Sequence, residues 1–185
     1  MEHKLLHGLL DLETKSHCDR VTKLSLFIAK KLSLKDVDLY NLRSIAPIHD
    51  IGKLKIPAYI LFKKGKLSPQ ELDEVQKHSQ LGFNIYSKHF GREDSTGIIL
   101  QHHENWDGTG YPNKLVGKEI TLLARIVAVS DVYEALVSER VYKKAWSEED
   151  AMSFIESQSG IKFDPQIVQI MVIHRCLIKK LLKES

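Results

Sequence analysis

Cysteine is nearly absent from this chain of 185 residues: only Cys18 and Cys176 occur, and they form no C-x-x-C pair. That excludes a disulfide framework and a thiolate zinc finger, and it fits small free thiols in a reducing compartment, the cytoplasm. An excess of one charge is also missing. Lys and Arg number 27 against 24 Asp and Glu, a formal net charge of +3. So mild a balance argues against binding a nucleic acid polymer or a membrane surface, and leaves anion attraction to a local site. Long apolar runs are lacking too. Runs such as Ile126 to Val129 fall far short of the roughly 20 residues of a membrane span. The Leu-rich start is broken by His7, Asp11 and Glu13, so no secretory signal is read there. No β-type alternation, internal repeat or low-complexity tract is visible.

What remains is helical periodicity and histidine. A hydrophobic content of 43% is ample for one core. Leu5, Leu6, Leu9, Leu10 and Leu12 make a helical stripe, and Val21, Leu24, Phe27, Ile28 and Leu32 make a second. Residues 1–12 read as a leading helix, a linker end or dimerisation segment, and 13–185 as the main domain. A third helix is expected over 36–48, using Val37, Tyr40, Ile45 and Ile48, with His49-Asp50 at its end. Ser68-Pro69-Gln70-Glu71 is a helix start, and the helix it opens carries His78 in its middle. Another helix ends near His102-His103. The Gly-, Asn- and Asp-rich stretch 104–119 is a loop. Residues 122–136 form an apolar, buried helix. Ser147 caps another helix, and Asp164-Pro165 starts the last one. The fold class is therefore all-α, a helical bundle.

Five histidines and three carboxylates stand out: Glu13, His17, His49, Asp50, His78, His102, His103 and Asp131. They offer nitrogen and oxygen but no sulfur, a donor set suited to two or three first-row divalent ions and hence to hydrolysis. Glu13 and His17 are four apart and share a helix face. Asp50, with two oxygens, is the natural bridge between two ions. Asp131 interrupts the apolar run 126–132; an unpaired carboxylate there would cost several kcal/mol, and a cation is the simplest compensation. His3, His7, His89 and His174 are assigned to ordinary surface or core roles. His7 lacks an acidic partner at matching spacing.

The ordered strings His49-Asp50-Ile51-Gly52-Lys53, His102 to Pro112 with Gly110-Tyr111-Pro112, Ser130-Asp131, Lys64 to Pro69 and Phe163-Asp164-Pro165 resemble the HD-GYP family of HD-domain phosphohydrolases. The resemblance covers nearly the whole chain. It implies a helical HD-type bundle with a bi- or trinuclear metal centre, most often of Fe or Mn, with Zn, Ni and Co as alternatives. It implies His17, His49, Asp50 and Asp131 as the core ligands. His78, His102 and His103 correspond to the second ion, and Glu13 to a third. The implied activity is hydrolysis of cyclic di-GMP to linear pGpG, and on a second cut GMP, by a hydroxide bridging the ions. The alternatives are a phosphodiesterase for cyclic GMP-AMP and a non-catalytic sensing or interaction module.

By the same resemblance, Lys53 and Asp50 are catalytic, with Lys53 also reaching the substrate phosphate. Arg140 and Lys143 match an Arg-Pro-Tyr-Lys string that contacts phosphates or guanine, although Val141 replaces the proline that would fix φ there. Tyr111 is placed to stack on a base or donate to a phosphate. Trp106 and Asp107 are expected to hold the loop to the body. The Gly110-Tyr111-Pro112 loop is an implied contact for diguanylate cyclase domains, and a homodimer is expected.

Overall fold

The computed structural model describes residues 2–90, 96–139 and 144–183, leaving aside the side chains of residues 2–4. The all-α expectation holds: among the described residues there are helices and two isolated bridges, with no strand. Arg140 and Lys143 lie outside the described residues.

The N-terminal stripe is two helices rather than one, α1 (Glu2–Gly8) and α2 (Leu12–Lys31). The break is caused by Asp11, which takes the N-cap of α2 and accepts from the Thr14 N–H at 2.9 Å. Leu5, Leu9 and Leu12 are exposed, while Leu10 turns inward. Helix α3 runs only over Asp36–Ile45, because Pro47 lacks the N–H needed to prolong it. A 3-10 turn, Ala46–Ile48, carries the chain to His49. Val37 and Tyr40, expected on the inward face, are exposed; Leu42 and Ile45 are the buried pair.

A second 3-10 turn, Ile51–Lys55, is followed by α4 (Ala58–Leu61). Ser68 and Glu71 form the expected capping box at the start of α5 (Pro69–Gln76). That helix stops before His78, which instead opens α6 (His78–Phe90). Helix α7 (Gly97–Gln101) ends at His102, and α8 (Leu122–Val137) follows the loop. Ser147 caps α9 (Glu148–Ser157), accepting from the Asp150 N–H at 3.0 Å. The expected single C-terminal helix is two, α10 (Pro165–Ile173) and α11 (Arg175–Lys183), separated at His174.

The long helices α2 and α8 pack along one another and form the spine of the bundle. Val21, Leu24 and Ile28 of α2 and Ile126, Val127 and Val129 of α8 are fully buried in one core. Each such side chain contributes about 1.5–3 kcal/mol. The turn 51–55 packs against α6 at very short range. A Cβ on Gly52 would lie 1.9 Å from the His78 carbonyl oxygen. Only glycine permits that approach, which brings Asp50 and His78 together.

The loop after α7 is pinned by a buried carboxylate. Glu104 accepts from the N–H groups of Asn113 (2.6 Å) and Leu115 (3.1 Å). The Trp106 and Asp107 N–H groups donate to the carbonyls of Lys162 (3.0 Å) and Ile161 (2.9 Å). Arg125 lies over the Trp106 ring and pairs with Asp164. Both residues thus tie the loop to the body through backbone N–H groups, and Trp106 also through its ring; the Asp107 side chain instead accepts from Thr109 within the loop.

Candidate metal centre

Two groups of ligand atoms converge in the bundle and share one residue. Asp50, His78, His102 and His103 form one, and His17, His49 and Asp50 the other; within each, the donor atoms lie within 4.8 Å of one another. Asp131 joins the second group through His17, whose Nε2 is 2.8 Å from Asp131 Oδ1. The Asp50 oxygens divide between the halves. Oδ1 lies 3.4 Å from His78 Nε2 and 3.9 Å from His102 Nε2. Oδ2 lies 3.6 Å from His49 Nε2 and 2.5 Å from Lys53 Nζ.

The chemistry of these atoms calls for a cation. His78 Nδ1 donates to the Val75 carbonyl at 2.7 Å, and His102 Nδ1 to the Ile99 carbonyl at 2.9 Å. Their Nε2 atoms therefore carry lone pairs, yet they face each other at 3.3 Å. Two acceptors cannot bond to one another; a shared positive charge reconciles them. His49 Nδ1 likewise donates to the Ala46 carbonyl at 2.8 Å. His49 Nε2 and Asp50 Oδ1 are buried with no protein partner. Orphaned buried acceptors of this kind are rare without an ion or water.

Electrostatics divide the cluster. Burial holds His102 well below the usual imidazole range and His103 at about 3, with neighbouring imidazoles adding to both. Burial also lowers His78, against the opposing charge of Asp50. These three are neutral at pH 7 and ready to ligate. For His17, burial is outweighed by hydrogen bonds to Asp131 and Glu134, which raise it to about 9. A metal ion at Nε2 would displace a proton there. Burial would raise the carboxyl of Asp50, but the facing charge of Lys53 holds it well below the usual range.

Glu13 is exposed and lies outside both converging groups, so nothing in the geometry marks it as a donor. Asp131 is paired rather than isolated, and its side chain retains 15% exposure. The fully buried carboxylate of α8 is Glu134, one turn further on, which the sequence reading passed over. The signal was available, since Glu134 also interrupts an apolar helix. His7, read as lacking an acidic partner at matching helical spacing, has Asp19 of α2 at 3.2 Å. Tyr111 is half-buried with its ring stacked on His103, centroids 4.9 Å apart, so one of its two faces is taken. Gly110 is buried; a Cβ there would lie 2.2 Å from the Asn105 nitrogen.

A family model described as HD domain matches residues 4–167. The chain belongs to the HD domain family. Its motifs place it in the HD-GYP branch. It is 42% identical over 167 residues to a protein of Thermotoga maritima named cyclic di-GMP phosphodiesterase, covering 89% of this chain and 45% of that one. A Vibrio cholerae protein named 3'3'-cGAMP-specific phosphodiesterase 2 is 37% identical over 164 residues, 88% of this chain and 31% of its own. Among solved structures, an HDG"Y"P protein from Bdellovibrio bacteriovorus superposes with a TM-score of 0.69 at 26% identity, over 85% of this chain and 51% of that one. The chain thus spans less than half the length of the curated relatives it matches. The family and the clustered His and Asp residues indicate divalent metal binding.

Proposed function

We propose that this domain is a metal-dependent phosphodiesterase that opens cyclic di-GMP to linear pGpG, with GMP as the product of a second cut. One observation carries the reading: two convergent donor groups share Asp50, and two of their buried atoms have no protein partner. His17, His49, Asp50 and Asp131 would hold one ion, and His78, His102, His103 and Asp50 the other. Fe or Mn fits the mixed imidazole and carboxylate set. When bound, such ions acidify water and neutralise phosphoryl charge.

The chain's own residues do the rest. Asp50 spans the two halves. Lys53, 28% exposed and charged against Asp50, is the cation at the rim of the cluster. From there it meets a non-bridging phosphate oxygen and holds a proton for the leaving 3′-oxygen. Tyr111 offers its free face to a base. Arg140 and Lys143 are assigned to the phosphates or guanine by resemblance alone. Glu13 is assigned to a third ion on the same ground. Free thiols at Cys18 and Cys176, and the lack of a membrane-crossing helix among the described residues, support a cytoplasmic location. A diguanylate cyclase domain docking on the loop would meet Asp107, Thr109 and Asn113, which are exposed, rather than Gly110. The exposed Leu5, Leu9 and Leu12 support pairing of two copies.

The test is metal content of anaerobically purified protein, paired with product analysis on cyclic di-GMP. Two or three ions per chain with pGpG or GMP formed is the expected outcome. A loaded site that leaves cyclic di-GMP uncut over hours overturns the substrate. The Vibrio relative's name then makes cyclic GMP-AMP the second reading.

A further inference from the structure

The histidines of the cluster are oriented by two different means. His49, His78 and His102 each donate Nδ1–H to the backbone carbonyl three residues earlier, those of Ala46, Val75 and Ile99. Each sits at a helix end or junction, where the ladder is irregular and a carbonyl has room for the ring as a second donor; the Ala46 carbonyl also accepts from the His49 N–H at 3.2 Å. His17 sits inside the 20-residue helix α2, where the preceding carbonyls are engaged. Its Nδ1 needs another acceptor, and the fold provides Glu134.

Glu134 is a built partner. It is fully buried, and its other oxygen accepts from Arg20 Nε at 2.6 Å and Ser138 Oγ at 2.5 Å. Arg20 neutralises the carboxylate, and its place one turn beyond His17 lets both residues of α2 reach the same acceptor on α8. A carboxylate on Nδ1 fixes the proton there, leaves Nε2 to the cation, and makes the imidazole a stronger donor than a carbonyl-bound one.

We propose that Glu134, clamped by Arg20 and Ser138, is the positioning residue that aims His17 Nε2 at the ion held with His49, Asp50 and Asp131. This rests on the metal-centre reading above. The closest test is manganese titration of the metal-free full chain by calorimetry, comparing wild type with Glu134→Ala, Glu134→Gln and Arg20→Gln. Alongside it, the His17 Nδ1–H proton is followed by NMR in metal-free protein.

The expected result is a loss of about 10–100-fold in affinity for one ion, with the other ion unchanged. Glu134→Gln retains an acceptor for Nδ1–H and is expected to fall between wild type and Glu134→Ala. The protected His17 proton is present in wild type and absent in Glu134→Ala. If Glu134→Ala fails to fold, the Gln and Arg20 variants decide on the same readouts. Unchanged affinity for both ions, or equal loss of both, overturns the positioning role. A wild-type chain that binds no manganese but keeps the protected proton sinks the metal-centre reading and leaves the His17–Glu134 geometry standing.

Discussion

The two halves of the cluster are held by different physics. The half containing His17 and Asp131 lies between α2 and α8 and depends on side-chain charge, with Glu134 and Arg20 behind it. The half containing His78, His102 and His103 depends on backbone. Two of its imidazoles, His78 and His102, use carbonyls at helix ends, as His49 does across the divide, while His103 stacks on Tyr111 of a loop shaped by Glu104 and Gly110. The first half is therefore vulnerable to changes of charge that leave shape intact. The second is vulnerable to changes of shape that leave charge intact. Asp50 belongs to both.

The largest effect is expected where the halves meet. Asp50→Ala removes the shared ligand and should release both ions, lowering turnover by on the order of 10³-fold or more. Metal analysis beside a hydrolysis assay checks it. A variant that retains one ion at full affinity would show that the halves do not share Asp50, and the division drawn above would need redrawing.

Next comes a shape change confined to the loop. In Gly110→Ala the new methyl would lie 2.2 Å from the Asn105 nitrogen and 2.5 Å from the Glu104 Cα, both backbone atoms that cannot swing aside. The expected cost is about 1–3 kcal/mol. The melting temperature should fall by about 2–4 °C for each kcal/mol in a domain of this size. The ion on the His17 side should remain. Loss of that ion first would show that the loop supports both halves.

Glu104→Ala sharpens the contrast with Glu134, since both glutamates are buried and neither converges with the donor groups. Glu104 serves two backbone N–H groups, so its loss should cost about 1–3 kcal/mol of stability with the metal affinity of the His17 half unchanged. Thermal melting and manganese titration on one sample separate the two expectations. A Glu104 variant that loses the His17-side ion would erase the distinction.

How much of this was legible beforehand follows the same division. The clustered donor residues stood out by type: imidazoles and carboxylates in apolar or glycine-bounded settings are natural candidates for a cation. The loop was equally plain from its Gly, Asn and Asp content. Helix ends were not. In residues 69–90 the proline opens the segment and the one glycine, Gly82, lies inside α6, so neither marks the split at His78; the junction coincides with the tertiary approach of Gly52 to the His78 carbonyl. No local pattern reports a contact between segments some 25 residues apart. The break at His174 has no Gly or Pro signal either. Val37 and Tyr40 fitted a helical stripe, but the stripe faces solvent because the core contact falls to Leu42 and Ile45. Glu134 obeys the rule that singled out Asp131. Only the third dimension shows that one carboxylate faces the cluster and the other stands behind it.

The smallest effect is expected at Tyr111, and it tests what the loop adds to the second half. Its ring lies nearly parallel to His103, at an interplanar angle of 27°. Stacking of this kind is worth about 0.5–1.5 kcal/mol and depends on the ring rather than the hydroxyl. Tyr111→Phe should therefore leave the melting temperature and the metal affinity of the His103 half near wild type, whereas Tyr111→Ala should lower stability by about that amount. If the hydroxyl meets a substrate phosphate, Tyr111→Phe will raise KM for the cyclic dinucleotide with stability unchanged. If the free face stacks on a base, only Tyr111→Ala will raise it. Equal stability of all three proteins would mean that His103 is held by His78 and His102 alone, and the loop would then act on substrate without shaping the metal centre.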